Sequence, residues 1–204
     1  MDLNKDHWYN GWFYDNFIAP NQDRMFREIK NSIEPNSTVI DVGCGTGRFS
    51  LFVADKVSKV AGVDLSKKNI NKAKEKLSRS PNNKISFHHS TLSDLIIQNL
   101  HFDYAVMTYV IHEVNPDERI KLLNEMTAVA DKIIIGDYLV PIKTGFWSII
   151  NELVEYFAGK EHYTNFKHYV ANNGLIGLAN KADLKIHLEL ADKPITSQIL
   201  ILTK

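Results

Sequence analysis

The sequence holds a single cysteine, Cys44, among 204 residues. No intramolecular disulfide can form, which suits a reducing compartment. It also lacks an excess of either charge: 24 Lys and Arg balance 24 Asp and Glu. That balance removes any global drive toward nucleic acid or an anionic membrane. Long uncharged apolar runs are missing, and none approaches the roughly 18–20 residues a spanning helix needs. The opening residues, Met1-Asp-Leu-Asn-Lys-Asp-His7, carry acids and no apolar stretch of the secretory kind. No repeat and no low-complexity linker interrupts the chain. These absences predict a cytoplasmic protein with neither nucleic acid nor membrane as partner. The length suits one domain, residues 1–204.

What is present has a rhythm. Short apolar runs at Thr38–Val42, Lys59–Asp64, Lys84–His88, Asp103–Thr108 and Lys132–Asp137 read as strands. Between them lie amphipathic stretches. Gln22–Ile33 places Met25, Phe26, Ile29 and Ile33 at helical spacing, and Ser66 is placed to cap a helix reaching Ser78. A helix is also predicted from Thr46 to Lys56 and another beyond Pro116. This alternation predicts an α/β fold with a parallel sheet covered on both faces. After Pro141 the pattern changes to two helices, Thr144–Ala158 and Glu161–Ala171. Two strands follow, Leu184–Leu190 and Ile195–Leu202, joined closely enough for an antiparallel hairpin.

The sharpest local signal is Val39-Ile-Asp-Val-Gly-Cys-Gly-Thr-Gly47, between a strand and a helix. Glycine lets the backbone turn tightly and approach a ligand, and a helix start offers unpaired N–H groups. The glycines fall as G-x-G-x-G rather than the dinucleotide G-x-G-x-x-G. Asp64 ends the next strand, where a carboxylate can take both hydroxyls of a ribose.

Asp41-Val-Gly-Cys-Gly-Thr-Gly47, Val60-Ala-Gly-Val-Asp-Leu-Ser66 and Phe102-Asp-Tyr-Ala-Val106 resemble the successive motifs of class I S-adenosylmethionine (SAM)-dependent methyltransferases, from about Thr38 to Val140. The resemblance implies a Rossmann-like, mostly parallel seven-stranded sheet of order 3-2-1-4-5-7-6. It divides the domain into an N-terminal aromatic helical cap (1–36), a cofactor half (38–140) and lid helices with a C-terminal hairpin (141–204). SAM would be the cofactor and S-adenosylhomocysteine (SAH) the product. Asp41, Gly43, Cys44, Gly45 and Gly47 would hold the methionine part, Asp64 the ribose, and Leu65 the adenine. Many members carry an acid after the third strand that meets the adenine amino group. Thr91 stands there instead, leaving the backbone of Leu92, or Asp94 if the loop shifts, to serve. Thr108, ending the fourth strand, would also border the cofactor.

Methyl transfer needs alignment and water exclusion, and a base only when the nucleophile arrives protonated. His112, in Thr108-Tyr-Val-Ile-His-Glu-Val114, is the first candidate for a base or a substrate contact. A loop-anchoring role fits it equally well. Tyr109 and Glu113 are lesser candidates, and Asp137 either faces the pocket or caps the next turn. Six aromatics lie between Trp8 and Phe17 and seven between Phe146 and Tyr169. The resemblance places both segments over the strand ends as the acceptor pocket. Tyr14 joins His112 as a catalytic candidate, with Trp12 and Phe166 beside it, and His162 is the most interesting member of Glu161–His168.

An aromatic pocket suits a small, partly apolar acceptor. The apolar stripe of Thr144–Ala158 suits burial or a homodimer contact. No metal constellation stands out, since His88 and His89, adjacent on a strand, point to opposite faces. An Asn/Asp-Pro-Pro-Tyr motif is absent after the fourth strand, and Cys44 alone does not meet the needs of arsenite methylation. The leading expectation is a methyltransferase acting on a small molecule. The alternatives are a SAM-binding protein without turnover and, further off, an NAD-linked oxidoreductase.

Overall fold

The computed structural model describes residues 19–141, 156, 159–191 and 196–204. The N-terminal aromatic segment, with Trp12 and Tyr14, lies outside the described residues. So does the predicted helix Thr144–Ala158 apart from Tyr156, which is exposed.

The described residues begin with α1 (Ala19–Ser32), followed by β1 (Thr38–Val42), α2 (Arg48–Val53), β2 (Lys59–Asp64), α3 (Lys67–Arg79) and β3 (Ile85–His89). Next come α4 (Leu92–Ile97), β4 (Phe102–Thr108), a single 3-10 turn (Pro116–Glu118), α5 (Arg119–Val129) and β5 (Ala130–Tyr138). The described remainder forms α6 (Lys160–Ala171), α7 (Gly174–Lys181), β6 (Lys185–Ala191) and β7 (Ser197–Thr203). The seven strands form one sheet in the order β3-β2-β1-β4-β5-β7-β6. The first five are parallel, and β7 runs antiparallel to both β5 and β6. This is the order the sequence motifs imply.

Local chemistry explains the elements. The buried face of α1 is the predicted one: Met25, Phe26, Ile29 and Ile33 are at most 4% exposed. Ser66 accepts the N–H of Asn69 and starts α3 as predicted. Two short helices escape the sequence reading, α4 and α7. α4 starts with a reciprocal cap: Thr91 accepts the Asp94 N–H through its hydroxyl, and Asp94 accepts the Thr91 N–H.

Strand alternation sorts the core into two layers. Ile40, Val42, Ala105, Met107, Ile133 and Ile135 pack on one face with Leu123 and Met126 of α5 and Leu178 of α7. Val39, Val60, Tyr104, Val106 and Ile134 pack on the other with α1, Phe49 and Val53 of α2, and Ala73 of α3. The same alternation sends two buried carboxylates to opposite sides. Asp41 follows Val39 onto the α1–α2 face, and Asp137 follows Ile135 onto the α5 face. Among the described residues, no helix is long and apolar enough to cross a membrane.

Candidate active site

The parallel strands all end on one side, and the glycine loop between β1 and α2 sits there. Gly43 and Cys44 donate their N–H groups to the carbonyl of Val63 at 2.9 and 3.0 Å, and Gly47 N–H bonds back to the Cys44 carbonyl at 2.9 Å. Gly47, directly before α2, has φ +77°, and a Cβ there would lie 2.4 Å from Cζ of Phe87. Only glycine meets both demands. Among the described residues, a Cβ on Gly45 would meet nothing within 4 Å, so the crest of the loop is open on that side. Cys44 is nearly buried beneath the loop, and burial pushes its thiol well above the ordinary range. The loop residues named from the sequence therefore surround one cradle.

Asp64 stands at the lip of that cradle. Its Oδ2 accepts the Gly45 N–H at 2.8 Å, and its Oδ1 accepts the Ser66 N–H at 2.7 Å. A carboxylate has about four acceptor positions, so both oxygens keep capacity for hydroxyl donors. Asp41 lies beneath, 1% exposed, and accepts the hydroxyl of Ser50 at 2.6 Å. Burial pushes its carboxyl up to about 7, against the lowering pull of Ser50. A cation placed beside it would bring the carboxyl back down.

The residues that the resemblance assigns to adenine lie beyond β2 and β3. Leu65 is 51% exposed beside the loop, and its carbonyl bonds to Nε2 of His89 at 3.0 Å. Thr91 serves as the cap of α4. Asp94 is engaged at the start of α4: one of its oxygens takes the Thr91 N–H and hydroxyl and the Ser90 hydroxyl at 2.9, 2.8 and 3.1 Å. Those donors also hold its carboxyl below the ordinary range. Leu92 buries its side chain in the core. Its backbone N–H stands in the first turn of α4, where helix geometry supplies no partner.

On the other side of the loop, β4 ends at half-buried Thr108. Tyr109 then takes a left-handed φ of 54°, unusual for a bulky residue. Its N–H bonds to Gly136 at 2.8 Å and its hydroxyl to Ser197 Oγ at 2.7 Å. The turn throws Val110 against Gly43, where a Cβ would come within 2.6 Å of it. Two residues later His112 enters the interior at 2% exposure.

His112 and Asp137 form a close, fully buried polar pair. His112 Nδ1 lies 2.7 Å from Asp137 Oδ1, and the His112 N–H donates to Oδ2 at 3.3 Å. Asp137 also accepts the Tyr138 N–H at 2.7 Å. The two sequence readings of Asp137, pocket and turn cap, both miss its main partner, the imidazole. His112 Nε2 then points toward Glu113 and His162: Glu113 Oε1 lies 3.8 Å from it and 3.9 Å from His162 Nε2.

Arg119 holds this region together and was not legible as a site residue. It is 1% exposed and donates to the carbonyls of Val114, His112 and Asn165 at 2.9, 2.9 and 2.7 Å. Asn165 returns a bond to the Glu113 carbonyl at 2.9 Å. Burial lowers the Arg119 pKa while the Asp137 charge opposes that shift. Around these groups stands an aromatic wall. Tyr138 meets His112, Tyr109 and Phe166 at centroid distances of 4.9, 5.6 and 5.5 Å. Tyr169 donates its hydroxyl to the Tyr138 carbonyl at 2.9 Å. Phe166 and His162, picked from the sequence, stand in this group, whereas Tyr14 and Trp12 fall outside the described residues.

Comparison with known proteins gives a consistent picture. Residues 39–132 match the family model described as a methyltransferase domain. The O-antigen chain terminator bifunctional methyltransferase/kinase WbdD of Escherichia coli is 26% identical over 138 residues. That covers 65% of this chain and 19% of WbdD, so the match spans about a fifth of that relative's length. An uncharacterized methyltransferase of Staphylococcus carnosus is 26% identical over 194 residues, 90% of this chain and 84% of that one. Among solved structures, the magnesium protoporphyrin IX methyltransferase of Synechocystis, with bound SAH, superposes with a TM-score of 0.69. It is 17% identical and covers 96% of this chain and 89% of its own. At that identity the likeness concerns the fold.

Proposed function

We propose that this chain, whose residues 39–132 match a methyltransferase domain and whose fold is that of SAM-dependent methyltransferases, moves a methyl group from SAM to a small, partly apolar acceptor seated beyond the ends of β4 and β5. The observation that carries the acceptor class is the aromatic wall of Tyr109, Tyr138 and Phe166 around the polar pair His112–Asp137. Apolar walls with a few converging polar groups are how proteins hold small molecules.

The residues present fit SAM. The open crest over Gly45 offers room for the methionine chain, and the uncharged-leaning carboxyl of Asp41 gains a cation from its amino group. Asp64 takes the ribose hydroxyls with the acceptor positions its backbone bonds leave over. Leu65 lies against the adenine, and the first-turn N–H of Leu92 replaces the acid that Thr91 does not provide. SAM supplies an electrophilic methyl carbon whose leaving group departs neutral, so alignment and dryness dominate the work of the protein. The aromatic wall excludes water, and His112, fixed by Asp137, presents a polar atom to the acceptor side.

Calorimetry with SAM and SAH, with NAD as the control, tests the cofactor. Micromolar binding of the first two and none of NAD is the expected result, and preference for NAD overturns it. Release of SAH on mixing with a panel of small aromatic alcohols and amines tests the transfer. Binding without release across that panel favours a SAM-binding protein without turnover.

A further inference from the structure

We propose that His112, Glu113 and His162 form a divalent transition-metal site at the acceptor end of the fold. One ligand atom from each residue lies within 4.8 Å of the others. The separations, 3.8 Å from His112 Nε2 to Glu113 Oε1 and 3.9 Å from there to His162 Nε2, are too long for direct hydrogen bonds. They suit groups that share an ion. Zinc bonds of about 2.0–2.1 Å at tetrahedral angles hold ligand atoms about 3.4 Å apart, so small side-chain movements close the site.

Three further features distinguish this cluster from a chance meeting of polar side chains. His112 engages buried Asp137 through Nδ1 at 2.7 Å, which turns Nε2 toward Glu113. Histidines that bind metal are almost always oriented this way by a carboxylate or carbonyl. The two segments that bring the ligands are joined beforehand: Arg119 ties the His112 carbonyl to that of Asn165 on α6, and Asn165 ties back to Glu113. The site has a dry side and a wet side, since the histidine side chains are 2% and 9% exposed and that of Glu113 is 34%. His112 and Glu113 are neighbours in a turn rather than a strand, so they escape the rule that sends adjacent side chains to opposite faces.

Two imidazoles and one carboxylate are the donor set of zinc centres that keep a fourth position open, and they suit neighbouring divalent transition metals as well. The site lies one turn from the glycine loop, because Val110 packs on Gly43. Resting on the methyltransferase reading, the open position takes the oxygen of an acceptor hydroxyl. The metal lowers the pKa of that hydroxyl, its proton passes to solvent, and the oxygen keeps the electron pair. The acceptor class narrows to small alcohols or phenols.

The test is a titration of the full chain, freed of metal with a chelator, with Zn2+ by calorimetry and with Co2+ by visible absorption. The expected result is one equivalent of Zn2+ and a ligand-field band for Co2+. Binding weakens at least tenfold in Glu113→Gln and in His162→Ala, while both variants bind SAH as the parent does. Failure of the parent to bind either ion, or equal binding by both variants, overturns the site. SAH is titrated separately: metal binding without SAH binding leaves the site standing and removes the methyltransferase reading, and SAH binding without metal binding does the reverse.

Discussion

The carboxylate of Asp64 accepts the Gly45 N–H at 2.8 Å, so the end of β2 holds the crest of the glycine loop in place. Its other oxygen holds the Ser66 N–H before α3. The residue proposed to take the ribose therefore also shapes the loop. Asp64→Ala removes both functions at once. Two hydrogen bonds to a charged group, at about 1.5 kcal/mol each, correspond to about a 100-fold loss of SAH affinity. Calorimetry checks this, and unchanged affinity refutes the assignment of Asp64.

Gly47→Ala combines a left-handed φ with a Cβ 2.4 Å from the ring of Phe87. The expected cost is about 3 kcal/mol, a drop of about 6–12 °C in Tm, together with weaker SAH binding. Gly45→Ala, with open space above it, has left-handed strain without a clash and melts closer to the parent. Equal melting of the Gly47 variant and the parent counts against the described turn.

Asp41 titrates in an unusual range. Its carboxyl is raised from 3.8 to about 7 in the folded chain by burial. A raised carboxylate pKa means that the folded state binds the proton more tightly. Stability without ligand therefore falls as pH rises from about 4 to about 7. Asp41→Asn removes that slope and is more stable than the parent at pH 8. A cationic ligand prefers the ionised carboxylate, so SAH binding at pH 6 releases a proton, seen as a dependence of binding heat on the ionisation heat of the buffer. No buffer dependence at pH 6 contradicts the pairing of Asp41 with the amino group.

Arg119 saturates three carbonyls from inside the protein. Arg119→Met leaves those acceptors buried, and a loss of about 3 kcal/mol or more follows. Lysine supplies a charge without the fork that reaches three directions, so Arg119→Lys recovers less than half of the lost Tm. Full recovery by lysine shows that charge alone matters there.

Much of this molecule can be read from its residues. The strands of the parallel half are short, mostly apolar runs, and α1 shows its buried face as Met25, Phe26, Ile29 and Ile33. The loop from Asp41 to Gly47 and the acid at Asp64 announce themselves by spacing. α4 hides because six residues with Leu92 and Leu95 buried make too little period, although Thr91 and Asp94 at capping distance were a usable signal. α7 hides behind Asn173, Gly174 and Gly177, residues that weaken a helix and are outweighed by burial of Leu175 and Leu178. Arg119 looks like a surface charge at the start of a helix, and only tertiary contact reveals its three carbonyls. The partnership of His112 with Asp137 joins two separate strand ends, and nothing in the local sequence of either names the other.

Asp41 and Asp137 occupy opposite faces of the same sheet, each with its own layer of packed side chains. On the proposed reading, the groups assigned to SAM and those assigned to the acceptor rest on separate packed layers and meet beyond the strand ends, where Val110 packs on Gly43. Substitutions around His112, Phe166 or Asp137 repack one layer and leave the other layer, with Asp41 and α2, untouched. A new acceptor preference can be written into this fold without rewriting how it grips the nucleotide.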